Sequence, residues 1–379
     1  MAKKYENRIV IVTRETRLQK VLTAQNTVSQ AKFYISNLGG DFNDYKEEHD
    51  RYDISIKNVR NELESLANIQ VIDRQYLTNF IFDKNDVVVA VGQDGLVANT
   101  IKYLDEQPVI GINPDSSRWD GILLPFKPEN VRIIVEETIK GKRKTESVSM
   151  AKARVQNGQE LYAVNDFFIG QRTHTSARYV LKYNGIKEPQ SSSGIIVSTG
   201  LGSTGWMKSV ISGAKRISSS VIGSPYGSSQ ENDALAADYA ETPEMTASMK
   251  KLTDTVKKSE DLNIMQAPAQ RQKQSFQAFN EKAAVKKKKE YGISELHGVI
   301  GKWASRDLVF AVREPFPSKT TGTTLVFGKI AENEILKIES LMGENGVIFS
   351  DGIENDFIAF NSGTEAVISL AEKKGRIVI

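Results

Sequence analysis

The chain predicts an α/β domain at its amino end, followed by a β-rich domain that carries a helical insertion. Three observations lead there. Over residues 9–112, short runs of β-branched apolar residues alternate with amphipathic stretches, the pattern of a mostly parallel sheet with helices on its faces. After Pro125 the segments alternate polar and apolar, and Asn157-Gly158 and Asn184-Gly185 between them are hairpin signals. From about 215 to 300 the sequence turns polar and helix-prone, framed by Ser218-Ser219-Ser220, Gly227-Ser228-Ser229 and the run Lys286–Lys289.

Taken in order, residues 9–13 form a continuous β-branched run, suited to a strand buried on both faces. Amphipathic helical stretches follow at about 15–37 and 46–67. Ile69-Gln70-Val71-Ile72 reads as a second strand, and Asp86 through Val91 as a third. The third ends in Gly92-Gln93-Asp94-Gly95, after which Val97, Ile101 and Leu104 form a helical stripe. Val109-Ile110-Gly111-Ile112 is a further buried strand. A helix at roughly 128–140 leads into strand-like segments at 144–155, 160–168, 178–184 and 194–199. The insertion is expected to be a surface segment, helical and mobile in parts, with a partner-docking or substrate-covering arm as the sharper reading. The β pattern resumes from 307 to about 361, and Thr364 to Lys374 reads as a last helix before Arg376-Ile377-Val378-Ile379.

Composition narrows the function. A length of 379 residues suits two domains, and 40% hydrophobic with 26% charged residues suits a globular core. Fifty basic against 47 acidic residues, a net charge of +3, is too balanced for a protein that mainly holds nucleic-acid backbone. Cysteine is absent, which excludes disulfides, a thiol nucleophile and thiolate metal sites. His49, His174 and His297 are scattered, so a histidine-ligated metal is not expected. No apolar run approaches the roughly 20 residues of a membrane helix, and the amino terminus runs straight into the first strand without a signal-peptide pattern. A cytoplasmic protein without a membrane partner is the expectation.

Three local patterns carry chemistry. The turn Gly92-Gln93-Asp94-Gly95 places backbone N–H groups and one carboxylate at the carboxyl edge of a sheet, where ligands of open α/β sheets bind. Phosphate suits such a helix start, and Asp94 suits a base toward a hydroxyl; an ordinary N-cap is the plainer reading. Asn165-Asp166, after an apolar strand, presents an amide and a carboxylate to a base or ribose, or simply turns the chain. Ser198 through Trp206, Ser-Thr-Gly-Leu-Gly-Ser-Thr-Gly-Trp, lets backbone approach a ligand, though no lysine makes it a Walker A loop.

In this order and spacing the three patterns resemble the NAD kinase family, and especially its mitochondrial-type branch. That family has a Gly-Gly-Asp-Gly turn, an Asn-Glu pair and a later Gly- and Thr/Ser-rich loop. Val109 through Asn113 with Leu124-Pro125, Val164 through Gly170, Ser192 through Trp206, Arg313-Glu314-Pro315, Asp351-Gly352 and Phe360 through Gly363 add to the likeness, which covers residues 8–210 and 305–370. The resemblance implies a Rossmann-like α/β domain over 1–126, a β-rich dinucleotide-binding domain over 127–355, and a segment 356–379 returning to the first domain. It implies transfer of the ATP γ-phosphoryl group to the 2′-hydroxyl of the adenosine ribose of NAD, with Mg²⁺ accompanying ATP and at least a homodimer. Asp94 is then the catalytic base. Gly92 and Gly95 bring N–H groups to phosphates, Asn165 and Asp166 bond adenine or ribose, and Ser193, Thr204, Gly205 and Trp206 line the nucleotide pockets, Trp206 by stacking.

Three positions depart from the family pattern. Gln93 replaces the second glycine, where a side chain is expected to cost on the order of 1 kcal/mol in backbone conformation or to obstruct the ligand. Asp166 is one methylene shorter than glutamate. Leu201 stands where Ser or Thr is usual and cannot hydrogen-bond adenine. A kinase for another nucleoside or sugar hydroxyl, and a catalytically weak NAD-binding sensor, are the alternatives these departures leave.

Overall fold

The computed structural model describes residues 4–222 and 302–379. Most of these form one compact unit; the end of the last described helix enters a second unit, Gly213–Gly292. Beyond residue 222 the expected insertion lies outside the described residues.

The amino-terminal part is α/β, as its pattern predicts. Strand β1 (Arg8–Thr13) is followed by α1 (Arg17–Gln25), α2 (Val28–Asn37) and α3 (Phe42–Glu64), then β2 (Asn68–Asp73), β3 (Val87–Val91), α4 (Asp94–Ile101), β4 (Pro108–Ile112) and α5 (Val131–Ile139). The single helix expected at 15–37 is two. Asn26 takes a left-handed φ of 62°, and Thr27 restarts the helix by accepting the Gln30 N–H. Thr16 and Gln19 form a reciprocal capping box at the start of α1.

The carboxyl-terminal part is β-rich: β5 (Thr145–Val155), β6 (Glu160–Ala163), β7 (Asp166–Gln171), β8 (Ala177–Tyr183), β9 (Ile186–Ser192) and β10 (Ile195–Ser198). Helix α6 (Trp206–Ile222) follows, and later β11 (Leu308–Val312), β12 (Phe327–Ile330), β13 (Leu336–Ser340), β14 (Gly346–Ser350), β15 (Ile353–Ala359) and β16 (Glu365–Val378). The strand expected at 160–168 is broken at Val164-Asn165, which leaves β6 and β7 in different sheets.

The helix expected at Thr364–Lys374 is instead strand β16. Helix-forming residues there give way to a period of two: Ala366 and Ile368 face one core while Val367 and Ser369 point away. Tertiary pairing overrides propensity, because β16 joins β13, β5 and β4.

A ten-stranded sheet runs β2-β1-β3-β4-β16-β13-β8-β9, with β5 on β16 and β6 on β5. Strands β2, β1, β3 and β4 are parallel, and β16 adds parallel to β4 through Arg376 and Ile377. The second sheet, β12-β11-β10-β7-β14-β15, is antiparallel throughout. Ile9 and Ile11 of β1 pack with Val59 and Leu63 of α3 and Ile134 of α5, while Val10 and Val12 join the cluster on the other face with Leu96 and Ile101 of α4. Burial on both faces is why β1 and β3 read as unbroken apolar runs. A third cluster fills the space between the two sheets with Phe167, Tyr179, Phe310 and Ile338 among others. Among the described residues no helix is long and apolar enough to cross a membrane.

Candidate active site

Strand β1 has β2 on one side and β3 on the other, so the winding of the sheet reverses between β1 and β3. The crevice beyond the carboxyl ends of those strands is the usual ligand position in such a sheet. Tyr52 pins its two walls: its hydroxyl donates to the Val91 carbonyl at 2.8 Å and accepts the Arg14 N–H at 2.8 Å. Burial pushes the Tyr52 phenol up to about 12, so it stays a neutral donor.

Gly92 leaves β3 at this edge. Its N–H bonds the Ile112 carbonyl at 3.1 Å, and a Cβ there would meet Leu96 Cδ2 at 2.8 Å. Gln93 is the N-cap residue of α4, with φ −121° and ψ 164°. That is ordinary extended backbone, so the expected conformational penalty at Gln93 is absent; only its side chain distinguishes the turn from a glycine pair. The Gln93 carbonyl accepts the Leu96 N–H at 2.8 Å. Gly95 is exposed, with open space where a Cβ would stand.

Asp94 opens α4. Its Oδ1 accepts the Leu123 N–H at 2.6 Å. Leu123 is held there because Gly111 of β4 lets segment 121–124 lie directly on the strand: a Cβ on Gly111 would sit 2.0 Å from the Leu123 carbonyl oxygen. One oxygen of Asp94 is therefore fixed, and Oδ2 has no hydrogen-bond partner among the described residues. A carboxylate so oriented, at a helix start and a sheet switch point, can take the proton of a hydroxyl placed against it.

The Asn165-Asp166 turn joins β6 to β7. Asp351, in the tight turn after β14, holds it: Oδ2 accepts the Val164 N–H at 3.1 Å, and Oδ1 accepts the Asn165 and Asp166 N–H groups at 2.6 and 3.3 Å. The Asp351 N–H returns a bond to the Asp166 carbonyl at 3.0 Å. Asp166 is 8% exposed, and its carboxyl makes no hydrogen bond among the described residues. Burial, and secondarily the charge of Asp351, push it up to about 7. Burial also raises Asp351, against the pull of Lys102 and the three amides.

The third motif lies on the second. Thr199 bonds Asn165 and Val164 together, its N–H to the Asn165 carbonyl at 2.9 Å and its Oγ1 to the Val164 carbonyl at 2.6 Å. Ser198 is the register partner of Asp166. Leu201 is 8% exposed and belongs to the same apolar cluster as Val164, Leu96, Val97, Leu123 and Leu124. Residues in or beside all three motifs thus share one core, to which Leu201 belongs.

Thr204 and Gly205 are exposed at the start of α6. The Trp206 ring stacks on Phe168 of the same chain, with centroids 5.8 Å apart and planes 10° from parallel, and Phe168 stacks in turn on Phe349 at 5.0 Å. The Arg313 guanidinium lies 5.5 Å from the Trp206 ring. Ser193 is exposed at the other end of β10 from Thr199, its N–H on the Arg313 carbonyl at 2.9 Å. The structure therefore joins the Asn165 turn to Thr199 by direct hydrogen bonds, puts Leu96 and Leu123 beside the Asp94 turn in the same apolar cluster as Val164 and Leu201, and sets Ser193 at the opposite end of β10.

Sequence reasoning missed Leu123 and Lys102, and named Asp351 only as part of the motif likeness, without its contacts. Leu123 acts through its amide, which leaves no trace in residue type. Asp351-Gly352 carries a hairpin-turn signal, but nothing local says where the carboxylate points. Among the described residues no group of three or more His, Asp or Glu is placed to hold a metal ion. Mg²⁺ commonly arrives on nucleotide phosphates with one or two carboxylates added, a set to which Asp94 fits.

No protein-family model and no curated protein matches the sequence. Among solved structures, the chain is similar to an NAD kinase from Archaeoglobus fulgidus in complex with ATP, at 13% identity and a TM-score of 0.49 over 98% of this chain and 93% of that one. It is also similar to yeast NADH kinase complexed with NADH, at 10% identity and a TM-score of 0.50 over 99% of this chain and 84% of that one. The second likeness shows the fold: a parallel-rich α/β part joined to an antiparallel β part, as in the NADH kinase.

Proposed function

We propose that the chain is an NAD(H) kinase that transfers the γ-phosphoryl group of Mg²⁺-bound ATP to the 2′-hydroxyl of the adenosine ribose. The observation that carries this reading is Asp94: one oxygen is fixed by the Leu123 amide, and the other is available at the sheet switch point. The ordered motif resemblance supports it, as does the shared fold with a NADH kinase. In the reaction the ribose 2′-oxygen bonds to the γ-phosphorus, the bond from that phosphorus to the β,γ-bridging oxygen breaks, and the hydroxyl proton passes to Asp94. Positioning and charge neutralisation do most of the work in such transfers.

In this reading residues 1–126 supply the phosphoryl-transfer turn, residues 127–355 the dinucleotide site, and residues 356–379 the tie between them. Asn165 and Asp166 contact the adenosine part and Gly95 the phosphates; the Gly92 N–H, expected on a phosphate, is instead taken by the Ile112 carbonyl, and Ser193, Thr204, Gly205 and Trp206 contact the rest of the dinucleotide. At least a homodimer, in the cytoplasm, completes the proposal. The Gln93 side chain at the mouth of the turn favours one second reading, a kinase for another nucleoside or sugar hydroxyl. A coupled assay of NADP formation from NAD and ATP, beside a binding measurement with NAD, tests both. Turnover supports the first reading. Binding without turnover points to a sensor, and neither signal points to a different acceptor.

A further inference from the structure

Asp351 and Gly352 join β14 to β15 with φ of 54° and 70°, a two-residue turn of the kind that favours Asp-Gly. A turn of that kind needs no carboxylate contact elsewhere. Here the side chain reaches out of the hairpin and accepts three consecutive backbone N–H groups, from Val164, Asn165 and Asp166. Successive amides gathered on one anion make a fixed nest, and each bond to a charged acceptor is stronger than a neutral one. The same hairpin is tied at its other side. Lys102, the C-cap of α4 and 3% exposed, donates to Ser350 Oγ at 2.9 Å and to Asp356 Oδ2 at 2.6 Å, and Tyr103 donates to that same Oδ2 at 2.5 Å. Helix α4 has Asp94 as its first residue and is about 12 Å long. A continuous set of contacts therefore runs from Asp94 through α4 and Lys102 to the β14–β15 hairpin, and from Asp351 to the Asn165-Asp166 turn.

We propose that Asp351 is a positioning residue for acceptor recognition: its carboxylate sets the backbone of the Asn165-Asp166 turn, and Lys102 holds the hairpin that carries it in register with the helix that presents Asp94. The inference rests on the reading of Asn165-Asp166 as part of the dinucleotide site. Among the described residues Asp351 makes no hydrogen bond to the Gly92–Gly95 turn, so its loss is expected to fall first on the acceptor.

Two substitutions separate the carboxylate from the turn that carries it. Asp351→Gly accepts the positive φ without strain and removes all three acceptors. Asp351→Asn tolerates the same φ and keeps one oxygen for the Asn165 and Asp166 amides. Steady-state kinetics with NAD and ATP are measured together with amide hydrogen exchange at Val164, Asn165 and Asp166 and with melting temperature. Asp351→Gly is expected to raise the KM for NAD by about tenfold or more, to leave the KM for ATP within about twofold, and to speed exchange at the three amides. Asp351→Asn is expected to recover most of the NAD affinity and the exchange protection of Asn165 and Asp166. A glycine variant with wild-type NAD KM and unchanged exchange overturns the proposal, as does an equal loss toward NAD and ATP in step with the melting temperature. Wild-type protein that neither binds nor phosphorylates NAD removes the kinase reading alone. The exchange rates then still decide whether Asp351 holds the turn.

Discussion

Gly202 lies against the carbonyl oxygen of Asn165 so closely that a Cβ at position 202 would stand 2.0 Å from it. The glycine-rich loop and the Asn165 turn are thus one surface, and the small residue is there for backbone contact inside the protein. The neighbouring atoms are main chain and cannot swing aside. Gly202→Ala is expected to destabilise the protein by ~3 kcal/mol, the upper end for overpacking, and to weaken NAD binding with it. Chemical denaturation and NAD titration of the variant check this; a stability within ~0.5 kcal/mol of wild type sinks the contact.

Asp94→Asn retains an oxygen for the Leu123 amide and a good residue at a helix start. The fold is expected to survive with an unchanged melting temperature. Phosphoryl transfer is expected to fall by about 10²–10⁴-fold, the usual contribution of a positioned base. Wild-type turnover by this variant removes Asp94 from the reaction.

Asp166 gives stability a pH dependence of definite sign. Its carboxyl is pushed up to about 7 by burial and by the charge of Asp351, against an ordinary value of 3.8. Between about pH 4 and 7 the folded chain holds a proton there that the unfolded chain has released. Stability from this group is therefore complete below about pH 4 and is lost as pH rises toward and through 7. Asp166→Asn is expected to flatten that decline and to exceed wild type at pH 8 by as much as ~4 kcal/mol, since each tenfold change in proton affinity is worth about 1.4 kcal/mol. Thermal melts of both proteins from pH 4 to 8 provide the comparison, and parallel curves contradict the assignment.

Lys102 and Asp356 form an ion pair with the lysine side chain 1% and the carboxylate 19% exposed. Among the described residues, Lys102→Met leaves the carboxylate with only the Tyr103 hydroxyl and leaves Ser350 without its donor. A loss of about 3 kcal/mol is expected, since breaking a buried pair strands a charge. Adding Asp356→Asn to that variant is expected to restore part of the stability; a double variant worse than the single one contradicts the pairing.

Gln93→Gly tests what the backbone of the turn permits. Because Gln93 already has an extended φ of −121°, glycine relieves no strain and only loosens the unfolded chain. A cost of ~0.4–1 kcal/mol is expected. Any change in acceptor preference then reports the side chain alone. Denaturation and kinetics across NAD, NADH and a small nucleoside panel separate the two effects; a stabilised variant shows that the turn was strained after all.

Much of the architecture was legible because it is local. The buried strands β1, β3 and β4 announce themselves by unbroken apolar runs, and the hairpins by Asn-Gly pairs. Strand β16 was misread because Ala, Leu, Glu and Lys favour a helix, and only its pairing with β13, β5 and β4 makes extended backbone the better state. Asp94 was legible as a carboxylate at the end of a strand, by its turn and by motif order. The packing of Leu201 was not legible, because its neighbours in the core are distant in sequence.

Local pattern alone thus specified the parallel α/β start, the β-rich remainder and the turn that presents Asp94. Tertiary structure decided which groups hold these turns. Leu123, 29 residues from Asp94, orients its carboxylate, and Asp351, 185 to 187 residues beyond the Asn165 turn, holds that turn. Periodicity and turn propensity act over a few residues. A hydrogen bond to a backbone amide is indifferent to the partner's side chain and exists only once sheet pairing has brought distant segments within about 3 Å.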